Sequence, residues 1–402
     1  MPPNGTRRSL TQQPCRRDRQ MRILHISDMH FGRHSRYPDL SPSESRTLGR
    51  SFFRALQDAC DHQRFQRGVD LVIVSGDIAE TGKPSQFELG CQFLSGVREE
   101  SGLESSRFVL VPGNHDVSRA ECMRVDLDIE TERIDKGERR QQIDANKLKY
   151  YYESLVQPFY GCSMDRVPNC RPLGRDAWLR DFPDYKLSVA ALNSCEKESH
   201  DDHEHYGSIS AEQAGTLMSI WKEHLYQTWL KIIVVHHNPI PTTQSNIDNW
   251  IRSLFSKDRI AATQRQIDGT PQQESRQMEF EMLGFEGKEL VQAVCADTTV
   301  QLVLHGHHHA TGAPIGWPTP GGTTWVLSTG SWGLQQKHLP DGELPNCALV
   351  QLNFEVGPSI ISDRLDFDLG YRPRGFVKGG HFRPKQSNQA PLNSVLPAGY
   401  HL

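Results

Sequence analysis

Short β-rich apolar runs recur along the chain at 21–27, 69–74, 107–111, 185–193, 230–235, 300–304, 323–328 and 346–354, and each predicts a strand. Helical periodicity appears between them. Leu48, Phe52, Leu56 and Ala59 share one face after the Ser/Pro-rich turn at 41–43, and Ser210 with Gln213 predicts a capping box for a helix reaching about Tyr226. Strands alternating with helices predict an α/β unit with largely parallel pairing buried under helices. A sandwich of two sheets leaves the same trace.

Three segments interrupt the pattern. Residues 118–180 are highly charged and then carry Tyr150, Tyr151, Tyr152, Phe159 and Tyr160 at helical spacing, which predicts burial against the main body. Residues 241–283 are Gln-rich and polar, with an amphipathic cluster at Trp250, Ile251, Leu254 and Phe255. Residues 370–402 hold Gly, Pro and Asn without apolar period and predict a loose C-terminal tail. Residues 1–20 are polar and basic without the apolar stretch of a signal peptide. They read as a disordered leader or as the product of an upstream start codon, since Met21 opens the first strand. The remaining 21–369 is expected to be one catalytic domain carrying the two internal insertions.

Composition narrows the classes. A chain of 402 residues can bury a sizeable core, and its net charge of -4 makes it no general magnet for nucleic acid or membrane surfaces. No apolar stretch approaches the roughly 18–20 residues of a membrane span. The nine cysteines are scattered and lack a C-x-x-C pair, which fits packed thiols in a reduced, cytoplasmic protein.

Chemistry-bearing residues sit at the ends of the apolar runs. Asp28 and His30 follow MRILHIS, Asp77 follows VDLVIVSG, and Asn114, His115 and Asp116 lie in VPGNHD after RFVLV. His236 and His237 follow LKIIVV, and His307, His308 and His309 close VQLVLHGHHH. In an open α/β sheet, the crevice beyond the carboxyl ends of the strands is where loops converge on one point. Carboxylate, amide and imidazole donors of this kind suit Mn²⁺, Fe or Zn²⁺. The carboxylate of Asp77 can bridge two ions, and Asn114 offers a neutral oxygen. Strand alternation does not separate His236 from His237.

The ordered set D-x-H, G-D, G-N-H-D, His and G-H-x-H resembles the calcineurin-like metallophosphoesterase superfamily over roughly residues 21–335. The resemblance implies a four-layer α/β/β/α sandwich, with two packed β-sheets flanked by helices and helical or loop insertions. It also implies two divalent or mixed-valence metal ions (Mn, Fe or Zn). The first would be held by Asp28, His30, Asp77 and His309, and the second by Asp77, Asn114, His236 and His307. In the family the ligand is the first histidine after the strand, which favours His236 over His237. His115 would sit outside the metal shell, oriented by Asp116, and protonate the leaving group. Two cations about 3.5–4 Å apart would let a shared hydroxide attack phosphorus in line.

In pattern the chain is closest to the cyclic-nucleotide phosphodiesterase branch, which implies a small phosphodiester substrate, with a cyclic nucleotide among the options. His30-Phe31-Gly32-Arg33 resembles the opening of double-strand-break repair exonucleases, so a nuclease is the alternative, followed by a phosphomonoesterase and, last, a non-catalytic scaffold. No membrane partner is expected, nucleic acid stays open, and the oligomeric state is not legible. Arg33, His34, Arg36 and Arg119 follow ligand turns closely and could contact phosphate or simply be solvated. The loop His200, Asp201, Asp202, His203, Glu204 and His205 looks metal-binding but lacks strand-end placement, so a solvated loop is favoured. Residues 241–283 are expected to form a lid, with Trp250 and Phe255 stacking on a base.

Overall fold

Two mixed β-sheets pack face to face in the computed structural model, which describes residues 20–61, 68–201, 207–239, 285–311, 314–320, 322–340, 343–353, 359–367 and 373–382. The first sheet has the order β13-β12-β11-β1-β2-β3. Its strands are β1 (Gln20–Ile26), β2 (Leu71–Ser75), β3 (Phe108–Val111), β11 (Asn346–Asn353), β12 (Ser359–Phe367) and β13 (Pro373–Phe382). The second has the order β4-β5-β6-β7-β8-β10-β9. It is built from β4 (Cys170–Gly174), β5 (Ala177–Phe182), β6 (Leu187–Ala191), β7 (Leu230–Val234), β8 (Leu302–His305), β9 (Ile315–Thr319) and β10 (Gly322–Ser328).

The period-2 alternation of each central strand feeds two different cores. Ile23, Leu71, Ile73 and Val109 of the first sheet meet Val189, Ile232, Val234, Leu302 and Leu304 of the second in one buried layer. Leu24, Ile26, Val72 and Val74 point the other way, against Phe52, Phe87, Phe93 and Leu94 of α1 (Pro42–Asp61) and α2 (Pro84–Ser101). On the second sheet Ile233 and Val303 turn outward to Leu217 and Trp221 of α7 (Ala211–Trp221) and to Val291 and Val294 of α8 (Phe285–Thr298). Both faces of both sheets are therefore covered, which is why the strands read as continuous apolar runs. Burying each such Val, Leu or Ile side chain contributes about 1.5–3 kcal/mol before chain entropy is counted. The layering is α/β/β/α, as the resemblance implies.

Every predicted run becomes a strand, but largely parallel pairing holds only at the centre. β1-β2-β3 and β6-β7-β8-β10 run parallel, whereas β11, β12, β13, β4, β5 and β9 join antiparallel. Residues 373–382, expected within the loose tail, form the edge strand β13 against β12. The domain boundary at 369 thus falls inside a sheet, because an edge strand needs backbone pairing and little apolar period. The predicted helix to Tyr226 stops at Trp221 and gives way to a 3₁₀ turn, His224–Thr228. Only half of its capping box forms. Ser210 Oγ accepts from the Gln213 amide, but the Gln213 side chain turns inward, accepting from Asn193 N and donating to Asn193 O.

The charged segment after the GNHD turn is helical up to Tyr160, with α3 (Arg119–Glu130), α4 (Arg139–Asn146), α5 (Lys149–Tyr151) and α6 (Gln157–Tyr160), the last two flanking a π-helical turn at Tyr152–Val156. Residues 170–180, expected within the insertion, instead supply β4 and most of β5 to the second sheet. Of the aromatics at 150–160, Tyr151 and Phe159 are buried in the core around α2 and the first sheet, and Tyr150, Tyr152 and Tyr160 pack against it partly buried. Residues 1–19, the whole 241–283 insertion with its Trp250 and Phe255, and 383–402 lie outside the described residues.

Candidate metal centre

Parallel strands present their carboxyl ends on one edge of the sandwich, and every singled-out turn sits there. β1 leads to Asp28 and His30, β2 to Asp77, and β3 to Asn114. From the other sheet, β7 leads to His236 and β8 to His307 and His309. Five of these residues adopt the left-handed backbone region that non-glycine residues seldom occupy: Asp28 (φ 54°), His30 (47°), Asp77 (54°), His307 (76°) and His309 (55°). Such conformations cost of order 1–3 kcal/mol each and persist where surrounding contacts over-determine them. Backbone bonds do so here, with Asp28 N donating to Gly76 O and His30 N to Asp77 O. At Gly113 a Cβ would lie 2.2 Å from Asp77 Oδ1, so only glycine lets the third turn close on the second.

The side chains converge in two groups that share Asp77. In the first, His30 Nε2 lies 3.1 Å from His309 Nε2, 3.6 Å from Asp77 Oδ2 and 3.7 Å from Asp28 Oδ1, and His309 Nε2 lies 3.4 Å from Asp28 Oδ1. In the second, His236 Nε2 is 2.9 Å from Asn114 Oδ1, 3.2 Å from His307 Nδ1 and 3.3 Å from Asp77 Oδ2. Donor atoms of Asp28, His30, Asp77 and His309, and of Asp77, His236 and His307, lie within 4.8 Å of one another. Two donors bound to one ion at about 2.0–2.1 Å are spaced by about 3.0–3.4 Å, so the groups match cation cages.

The donor set fits metal on other grounds. Asp28 Oδ1 and Asp77 Oδ2 are buried without a hydrogen-bond donor. A buried bare carboxylate oxygen is costly unless a cation compensates it. Burial opposes the charged form of Asp28 and Asp77, yet the surrounding imidazoles hold both below the ordinary carboxylate range. Burial also depresses His30 to about 4, leaving it neutral and free to ligate. His236 donates from Nδ1 to Ser75 O at 2.7 Å, which aims the lone pair of its Nε2 into the cluster.

His115 donates an amide bond to Asp77 Oδ1 at 2.8 Å, and its ring stands 4.7 Å from that of His30. Asp116 does not orient it. The Asp116 carboxylate accepts from Ala79 N and Gly113 N, capping the turn, while His115 Nδ1 donates to the Glu80 carbonyl at 2.7 Å. The GNHD turn leaves amides that need an acceptor, and the closest carboxylate serves them. Burial, reinforced by the charge on Asp77, raises the Asp116 pKa.

His237 belongs to neither group. Its Nδ1 pairs with Ser194 Oγ at 2.9 Å, its Nε2 lies 3.3 Å from Glu198 Oε1, and its ring stands 4.6 Å from that of His307. Ser194 Oγ also accepts from the amides of His236 and His237. Sequence reading passed over Ser194 and Glu198, which stand on no motif; a buried acid beside a buried histidine is visible only in three dimensions. This assembly buttresses the second group. Glu198→Gln is expected to weaken metal binding in the second group by less than the range of about 10–100-fold typical of residues bonded directly to a ligand, because it acts through His237. Metal content after dialysis against a metal buffer checks this, and unchanged occupancy would deny Glu198 the role.

Of the remaining candidates, His34 bonds to Glu80 at 2.6 Å, and Arg33 and Arg119 are exposed. The ring of Arg36's neighbour Tyr37 lies under the Arg36 guanidinium, 5.7 Å from it. His200 pairs with Asp126 at 3.1 Å, and 202–206 lie outside the described residues. His308 is partly buried, with its ring 5.6 Å from that of His307. Cys91, Cys122, Cys162, Cys170, Cys195, Cys295 and Cys347 form no disulfide, and no described helix is long and apolar enough to cross a membrane.

Comparison with known proteins adds a family match. The family described as calcineurin-like phosphoesterase matches residues 21–311. A stretch of 100 residues, 25% of the chain, is 30% identical to an uncharacterized metallophosphoesterase-like protein, YydB, of Bacillus subtilis (strain 168), and covers 18% of that protein. Among solved structures, a purple acid phosphatase from seeds of yellow lupin (Lupinus luteus) aligns at 10% identity and a TM-score of 0.46, over 86% of this chain and 51% of that one. A 5'-nucleotidase from Candida albicans aligns at 14% identity and 0.33, over 88% and 53%. The chain thus spans about half the length of these two structures, and likenesses so distant carry no statement about activity.

Proposed function

Since the chain belongs to the calcineurin-like phosphoesterase family, we propose that it is a binuclear metal-dependent hydrolase of a phosphodiester, with a cyclic nucleotide as one candidate substrate. The observation that carries this reading is the pair of donor groups sharing Asp77, whose Oδ2 is buried without a hydrogen-bond donor. Asp28, His30, Asp77 and His309 would hold one cation, and Asp77, Asn114, His236 and His307 the other. Bound there, Mn²⁺, Fe or Zn²⁺ ions supply nucleophile activation and neutralise charge on the phosphoryl oxygens.

The protein's own residues do the rest. Asn114 contributes an uncharged oxygen, which limits negative charge where an anionic phosphate must approach. His115 is tied through Nδ1 to the Glu80 carbonyl, so Nε2 is the atom left to carry a proton to the departing oxygen. Its amide bond to Asp77 fixes the acid relative to the shared carboxylate.

A substrate panel with Mn²⁺ tests the reading: a bis-aryl phosphodiester, an aryl monoester, cyclic nucleotides and single-stranded DNA. Metal-dependent turnover of a diester above the monoester is the expected result. A monoester preferred by about 100-fold, or no metal-dependent hydrolysis of any of them, would overturn it; a difference of that size is about 2.7 kcal/mol of transition-state discrimination.

A further inference from the structure

Two loops form a rim beside the first donor group. The segment after β1 and the segment after β10 are laced together, with Trp332 N donating to Ser27 O, Gly333 N to Asp28 O, Arg36 N to Gly333 O and Gln335 N to His34 O. Ser331 Oγ also donates to Asp28 O at 2.6 Å. A Cβ at Gly333 would sit 1.7 Å from Met29 O, so the second loop lies directly on the ligand turn. The rim is thereby fixed with respect to Asp28 and His30.

Its outer ends carry Arg33 with His34 and Lys337 with His338, all exposed. The His34 and His338 rings stand 4.6 Å apart. His34 connects inward: its amide and Nδ1 both bond to the Glu80 carboxylate, and the Glu80 carbonyl accepts from His115. That carboxylate is thus drawn under the rim. Among the described residues neither Arg33 nor Lys337 has an ion-pair partner. Other exposed cations, among them Lys83, Lys136, Arg166, Arg175 and Lys186, are also without an ion pair among the described residues, but Arg33 and Lys337 flank the rim of the first donor group. Two uncompensated cations, with the His34 and His338 rings between them as hydrogen-bonding groups, make a local anion-attracting lip.

We propose that Arg33, His34, Lys337 and His338 form a subsite for a second phosphate group of the substrate, beyond the reacting one. This deepens the phosphoester reading and rests on it. The lip selects substrates carrying two phosphates, whether a nucleoside bisphosphate or consecutive residues of an oligonucleotide. Exposed charge contacts are individually weak, so two of them add up to a preference of about tenfold.

Calorimetry on the metal-loaded full chain tests it with adenosine 3',5'-bisphosphate, adenosine 5'-monophosphate and a short oligothymidylate. The wild type is expected to bind the bisphosphate or the oligonucleotide about tenfold more tightly than the monophosphate; whichever binds more tightly identifies the source of the second phosphate. Arg33→Ala combined with Lys337→Ala should bring that ratio near one, as should about 1 M salt, while Arg54→Ala with Lys222→Ala should keep it. A wild-type ratio near one, or a ratio that survives the Arg33/Lys337 variant, overturns the subsite. If the protein still hydrolyses a diester from the panel, the subsite fails alone; inactivity on the whole panel brings down the parent reading.

Discussion

Asp77→Asn is expected to abolish turnover while the fold stays intact. One oxygen of Asp77 already accepts the His115 amide, and the other is the bare oxygen common to both donor groups. An asparagine has a single good acceptor oxygen and no charge. It can keep the amide bond or ligate, not both, and its NH₂ would project toward the nitrogens of His30 and His236. Loss should exceed the about 10²–10³-fold typical of deleting one preorganised electrostatic contact. Metal content should drop as well, while far-UV circular dichroism stays unchanged, because the sheets on either side are held by apolar burial. Retention of most activity in Mn²⁺ would remove Asp77 from the bridging role.

His115→Ala should behave differently. With both donor groups complete, metal content should be that of the wild type, and turnover should fall by about 10²–10⁴-fold, the range for a general acid. The defect should shrink as the leaving group becomes more acidic, since such an alcohol departs without a proton. Plotting the logarithm of the rate against leaving-group pKa for wild type and variant is the decisive comparison. Parallel lines would assign His115 to holding Asp77 in place through its amide and ring.

Several features were legible along the chain, and each has a physical reason. The central strands are covered on both faces, so VDLVIVSG and LKIIVV could be read as strands without knowing their neighbours. β5 and β12 escaped for the opposite reason. Arg180 is 2% exposed and donates to Ser106 O and Phe108 O, and Arg364 is drawn to Glu343 and Asp366, so charges that look solvated are buried on backbone carbonyls or half-buried against carboxylates. β13 carries no apolar alternation because its place at the sheet edge asks only for backbone pairing.

The candidate ligands were legible because donor types recur at the ends of apolar runs, and a strand end is where a side chain can leave the sheet. Three decisions belonged to tertiary structure. His236 is distinguished from His237 by the Ser75 carbonyl of the other sheet, which turns its Nε2 into the cluster. Asp116 serves backbone amides and leaves His115 to Glu80, which depends on how tightly the GNHD turn closes. Glu198 and Ser194 reach His237 from a loop some forty residues away in sequence, as the separation of 43 between Ser194 and His237 shows. Spacing along a strand dictates how a side chain leaves its own backbone; which atoms it then meets is set by the packing of two sheets, a distance no local pattern encodes.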